Sequence, residues 1–216
     1  MIKAVIFDLD GTLLYTIEDL RDSVNYALGK AGLPPRGLDE VTAFVGHGVG
    51  DLIRKSAAPE ERPEVLDFCL REFRQHYREN MENKTRPYDG IPELLSALSR
   101  AGIKTGILSN KFDAATKRLS EKYFGDGITL ALGERPETPK KPDPAGLRQL
   151  MRELHVLPRE TVYVGDSPTD VKTAKNAEVR CIAVTWGYRP ANTLLGADYT
   201  ANTPADVLAI VRNITK

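Results

Sequence analysis

Residues 4–7, Ala-Val-Ile-Phe, form an apolar run with no polar alternation, and the run stops at Asp8-Leu9-Asp10-Gly11-Thr12. A short apolar run that ends in a glycine turn reads as a buried strand of a parallel sheet. Ligands of open α/β sheets bind just outside the carboxyl ends of the strands. Asp8 and Asp10 therefore fall where a ligand would bind. Two carboxylates so close repel each other unless a cation neutralises them. Oxygen-only ligation suits Mg2+, which holds few carboxylates, keeps several waters and pairs with phosphate. The bland alternative is an acidic turn in which Asp8 caps the next helix.

Charge and composition narrow the partners. Lys plus Arg number 30 and Asp plus Glu number 30, so no basic excess points to nucleic acid or to an anionic membrane. The 41% hydrophobic and 28% charged content is that of an ordinary globular chain, and 216 residues suit one large domain or two small ones. Two acids interrupt the first apolar run and no cleavage-site pattern follows, so neither a signal peptide nor a membrane span is expected. Cys69 and Cys181 lack metal-like spacing and read as buried thiols of a reducing cytoplasm.

Two kinds of territory follow Thr12. From about 15 to 83 the chain reads as all-helical, with stripes at Leu20, Val24, Ala27, Leu28 and then Leu66, Leu70, Phe73, Tyr77. Thr16 with Asp19 resembles a helix-capping pair. A glycine-rich turn, Gly46-His47-Gly48-Val49-Gly50, lies between the stripes, and residues 83–87 read as the way back. From Tyr88 onward helices and strands alternate. Strands are expected at 104–110, 128–132, 161–166 and 181–185, with helices between them. Such alternation implies a doubly wound parallel sheet with right-handed crossovers. The α/β core is thus expected over 1–14 and 84–216, and a helical insertion over 15–83.

Polar groups recur at the strand ends. They are Ser109-Asn110, Lys140-Lys141-Pro142-Asp143-Pro144 and Gly165-Asp166-Ser167-Pro168-Thr169-Asp170. Taken singly, each reads equally as a turn or a helix cap. Together with Asp8 and Asp10 they supply acids for a metal, a hydroxyl and a cation for phosphate oxygens, and a carboxylate nucleophile.

The order DLDGT, LSN, KPDP, VGDSPTD resembles that of the haloacid dehalogenase-like phosphatase superfamily over nearly the whole chain, and most of all its phosphoglycolate phosphatase group. The Gly46-His47-Gly48 turn and the stretch Val184-Thr185-Trp186-Gly187-Tyr188-Arg189 add to that likeness. The resemblance implies a Rossmann-like core and an inserted cap domain. It implies Asp8 as the nucleophile and Asp10 as general acid and base, with the Asp10 backbone carbonyl on Mg2+. Gly11 and Thr12 would offer backbone or hydroxyl contacts near the phosphoryl group, and Ser109 and the Asn110 amide would hold its oxygens. Lys141 would neutralise it, and Asp166 and Asp170 would complete the Mg2+ shell. Lys141 is expected to be the only basic partner of these acids. Asp10 argues against a dehalogenase, since a halide leaves without a proton. Tyr15 stands where relatives often carry an acid, at the opening of the insertion.

The expected activity is hydrolysis of a small-molecule phosphate ester, phosphoglycolate first, by a cytoplasmic monomer or homodimer. His47 and Gly48 are expected to read the substrate from the cap. The alternatives are another cap-bearing phosphatase, acting on a sugar phosphate, a nucleotide or pyrophosphate, and a mutase of the β-phosphoglucomutase type. A non-catalytic binding protein on the same fold would be expected to lack Asp8 or Asp10. The Gly46–Gly50 turn lacks the Lys-Ser/Thr of a nucleotide-binding P-loop. His76 and His155 lack ligand spacing and read as surface or satisfied residues, and Trp186 as packing.

Overall fold

The computed structural model describes residues 1–214. In chain order the elements are β1 Ala4–Phe7, β2 Leu14–Tyr15, α1 Ile17–Lys30, α2 Leu38–Phe44, α3 Val49–Ala57, α4 Pro63–Asn80 and β3 Arg86–Pro87. There follow α5 Ile91–Arg100, β4 Lys104–Phe112, α6 Asp113–Phe124, β5 Leu130–Glu134, α7 Ala145–Glu153 and β6 Thr161–Gly165. The chain ends with α8 Pro168–Asn176, β7 Arg180–Val184, β8 Tyr199–Ala201 and α9 Pro204–Ile214. It divides into two compact units, residues 1–14 with 87 onward, and residues 15–86.

The first unit is built on a six-stranded sheet in the order β5-β4-β1-β6-β7-β8. Every pairing in it is parallel. Successive strands run outward from β1 to β4 and β5, then restart on its other side at β6. This is the Rossmann-like order, and its switch point lies between β1 and β6. Ile6, Tyr163 and Cys181 stand in one row across β1, β6 and β7. They share a buried cluster with Leu147, Leu150 and Met151 of α7 and with Val171 and Ala174 of α8. Val5, Phe7, Val162 and Val164 alternate with them, point to the opposite face, and are just as buried. Burial on both faces is why these strands read as unbroken apolar runs.

The sheet matches the expected fold class, with differences at its edges. β4 runs on to Phe112 through a register shift after Leu108, and β5 begins at Leu130. Three elements left little trace in the sequence pattern. α6 buries Ala115, Thr116, Leu119 and Ser120, a stripe too small and polar to stand out. β8 is a three-residue edge strand with two exposed residues, and α9 follows it.

In the second unit α1 packs against α4. Leu20, Val24, Ala27 and Leu28 are buried on α1, and Cys69, Phe73 and Tyr77 on α4. His76 is satisfied by Ser23 Oγ at 3.0 Å and stacks on Tyr26 at 4.2 Å. Thr16 makes no side-chain cap. Asp19 instead accepts from the backbone N–H groups of Lys84 at 2.9 Å and Thr85 at 2.8 Å, and from the Thr85 hydroxyl at 2.9 Å. These bonds tie residues 84–86 to α1, so the helical unit extends to Arg86 rather than ending at 83. The Arg86 guanidinium sits over the Tyr15 ring, 4.3 Å from its centroid. Among the described residues no helix is long and apolar enough to cross a membrane.

Asp19 is 2% exposed, so truncating it strands two backbone donors away from water. Asp19→Ala is expected to lower stability by about 2–4 kcal/mol, read by urea unfolding followed by circular dichroism.

Candidate active site

The carboxyl ends of β1, β4 and β6, with the loops after β5 and β7, converge at the switch point. The Asp8 N–H donates to Val164 O at 2.9 Å, which carries the β1–β6 ladder one residue past the strand. The chain then folds tightly back. Leu9 O accepts from the N–H groups of Thr12, Leu13 and Leu14, and Gly11 turns the loop at φ 84°. On the β6 side Ser167 caps α8 in reciprocal fashion. Its hydroxyl accepts from the Asp170 N–H, and its own N–H donates to Asp170 Oδ2 at 3.1 Å. Capping therefore uses one face of Asp170 and leaves Oδ1 for the site. The cap and the acid cluster are one arrangement.

Lys141 joins the two ends. Its Nζ lies 2.8 Å from Asp8 Oδ1, 2.8 Å from Asp170 Oδ1 and 3.0 Å from the Tyr163 hydroxyl. Asn110 fixes the Lys141 main chain, accepting from its N–H at 2.9 Å and donating to its carbonyl at 3.1 Å. The Asn110 side chain is thus engaged with the Lys141 main chain. Ser109 is buried, and its Oγ accepts from the Lys111 N–H at 3.1 Å.

Asp166 is held from two sides. Thr12 Oγ1 donates to its Oδ1 at 3.2 Å, and the Tyr188 N–H donates to its Oδ2 at 2.7 Å. Thr12 is wholly buried, and its carbonyl accepts from Trp186 Nε1 at 3.0 Å. Trp186 therefore pins the loop after β7 to the loop after β1. Any side chain at Gly11 or Gly187 would collide with the Asp166 carboxylate, and one at Gly165 with Asp170. The glycines are what let backbone pack directly against the two acids.

One carboxylate oxygen from each of Asp8, Asp166 and Asp170 lies within 4.8 Å of the others. Burial, and then the neighbouring Asp170, push the Asp8 carboxyl well above the usual range, against the pull of Lys141. The same two causes raise Asp166 to about 7. Burial alone would push the Lys141 ammonium down, but Asp170 and Asp8 outweigh it and keep it charged. Burial, then Asp170 and Asp8, raise the Tyr163 hydroxyl, so it remains a neutral phenol. Three carboxylates against one ammonium leave the ionised cluster two charges short of neutrality. A clustered set of buried oxygen donors with that deficit fits a hard divalent cation.

Asp10 stands apart from the triad. Its Oδ1 lies 3.1 Å from Lys111 Nζ, whose side chain is 4% exposed. Lys141 is therefore not the only basic partner of the acids. Lys111 directly follows Ser109-Asn110, so its place at a strand end could have flagged it. Tyr163 could have been flagged as the hydroxyl inside a strand buried on both faces. His47 is exposed and Gly48 is the N-cap of α3, both in the helical unit.

Residues 5–184 match the family model described as haloacid dehalogenase-like hydrolase. The phosphoglycolate phosphatase of Chromobacterium violaceum is 34% identical, with 98% of this chain and 97% of that protein covered. That of Agrobacterium fabrum is 38% identical over 85% of this chain and 80% of its own. Among solved structures, a predicted phosphoglycolate phosphatase from Haemophilus somnus superposes with a TM-score of 0.90 at 28% identity, over 97% of each chain. The chain belongs to the haloacid dehalogenase-like hydrolase family.

A carboxyl that is easier to protonate when folded stabilises at low pH, and that gain fades as pH rises through its folded value. Asp166, at about 7 against an ordinary 3.8, places this fade between about pH 4 and 7, and Asp8 adds in the same direction. Metal-free protein is expected to lose a few kcal/mol over that window relative to Asp166→Asn. Thermal unfolding in EDTA at several pH values tests it.

Proposed function

We propose that this chain is a Mg2+-dependent phosphomonoester phosphatase that forms an aspartyl-phosphate on Asp8, and that its substrate is phosphoglycolate. The observation that carries the reading is Asp8 itself. It is the most exposed of the three clustered acids, at 9% against 2% for Asp166 and none for Asp170, and it is held by the Lys141 ammonium. The substrate assignment draws on the relatives named phosphoglycolate phosphatase at 34% and 38% identity. Both thiols are free and buried, in keeping with an enzyme of the reducing cytoplasm.

Asp8 attacks phosphorus, and the bond to the leaving oxygen breaks. Asp10, entering as the acid, gives its proton to that oxygen, so an alcohol leaves. Asp10 then takes a proton from water as the water oxygen attacks phosphorus. The bond to Asp8 breaks, phosphate departs and the Asp8 carboxylate is restored. Lys141 balances negative charge on the group in transfer, with Ser109 and the Asn110 N–H on its oxygens. Mg2+ would be held by Asp8, Asp166, Asp170 and the Asp10 carbonyl, and would screen carboxylate from phosphate so that two anions can meet. Thr12, Tyr188 and Tyr163 orient the acids. His47 and Gly48 on the helical unit are assigned to the substrate end that does not react.

Asp8→Asn is expected to fold and to lose at least a hundredfold in kcat, because an amide is a poor nucleophile. EDTA is expected to abolish wild-type turnover and Mg2+ to restore it. Activity of Asp8→Asn within tenfold of wild type would falsify the nucleophile. His47→Ala is expected to change the kcat/KM ratio between phosphoglycolate and an aryl phosphate by about tenfold. An unchanged ratio removes the helical turn from recognition.

A further inference from the structure

An ammonium has three protons to donate and no more. At Lys141 each of them has an acceptor: Asp8 Oδ1 at 2.8 Å, Asp170 Oδ1 at 2.8 Å and the Tyr163 hydroxyl at 3.0 Å. The side chain is 3% exposed, and Asn110 fixes the main chain through both N–H and carbonyl. An oxyanion that is to accept a hydrogen bond from Lys141 must therefore displace one of the three acceptors. Two of them are carboxylates, and parting either from the ammonium separates opposite charges in a buried place. The third is a neutral hydroxyl. Tyr163 also loses least by the exchange. As a donor it has two acceptors in reach whether or not it accepts from Lys141, Asp170 Oδ1 at 3.0 Å and Leu108 O at 3.3 Å.

We infer that Tyr163 is a positioning residue whose hydroxyl holds the third proton of Lys141 while the site is empty and yields it to a phosphoryl oxygen when phosphate binds. The inference rests on the reading of Lys141 as the cation that faces the transferring group. Tyr163 stands on β6 in one row with Ile6 and Cys181 and is wholly buried, a place where phenylalanine would meet the needs of packing. The hydroxyl is the part that packing does not require, and burying it costs stability unless it is bonded. Its effect is opposite in the two states of the site. In the empty site it satisfies an N–H that would otherwise be buried without a partner. In the loaded site it competes with phosphate for that same N–H. It therefore weakens phosphate binding and limits how tightly the product is retained. A hydroxyl that only steadied Lys141 would act the other way, and its removal would loosen the ammonium and weaken binding.

Calorimetric titration of inorganic phosphate into Mg2+-saturated protein tests the sign. Tyr163→Phe is expected to tighten phosphate by about threefold or more, and KM to fall in step while kcat does not rise. Weaker or unchanged phosphate binding in folded Tyr163→Phe overturns the inference. A crystal structure of the wild type with Mg2+ and phosphate needs no variant to fold. It is expected to show Lys141 Nζ within about 3.2 Å of a phosphate oxygen and more than about 3.5 Å from the Tyr163 hydroxyl, with both carboxylate contacts kept. Phosphate on Lys141 with the Tyr163 contact intact, or with a carboxylate contact broken in its place, overturns the inference and leaves the role of Lys141 standing. Phosphate that does not touch Lys141 overturns that role and this inference with it.

Discussion

The Lys141 ammonium, hydrogen-bonded to Asp8, Asp170 and Tyr163, is the contact on which the arrangement of the site depends. Three carboxylates with oxygens within 4.8 Å of one another would drive the ends of β1 and β6 apart. The ammonium bridges two of them, and Asn110 holds its main chain from the neighbouring strand. Breaking a buried pair by removing one partner costs about 3–5 kcal/mol, because the other charge is left buried alone. The residual charge deficit of the ionised cluster is of the kind that suits a divalent ion.

The sheet order supplies the rest. Because β1 lies at the switch point, its end is flanked by the ends of both β4 and β6, and loops from β5 and β7 can reach it. Asp166 is then packed by backbone. Thr12 and Tyr188 donate to it, Trp186 ties their loops together, and glycines stand wherever a side chain would collide with it. Few of its neighbours can move without moving the carboxylate. An acid cluster set this firmly spends little on reorganisation when it acts.

Much of this was legible in the sequence because strand ends are local features. The apolar run at 4–7 closing on Asp8 is written in consecutive residues, and so are Gly165-Asp166 and the capping spacing of Ser167 and Asp170. The edge of the sheet was less legible. β8 is short and half exposed, and α6 buries small polar residues, so neither shows a clear period. The end of the helical unit was hidden for another reason. It is set by Asp19 reaching across sixty-odd residues to Lys84 and Thr85, which no local pattern reports.

By itself the sequence determined a parallel α/β sheet, a helical insertion after its first strand, and a set of acids, a hydroxyl and lysines at the strand ends. Only the tertiary structure decided which charge meets which. Lys141 goes to Asp8 and Asp170, Lys111 goes to Asp10, and the Thr12 hydroxyl turns to Asp166. A lysine stem or a hydroxyl can satisfy any of several neighbours, and local periodicity says nothing about the choice. Strand order and register make that choice, because they fix which backbone ends lie side by side at distances where a hydrogen bond forms or fails.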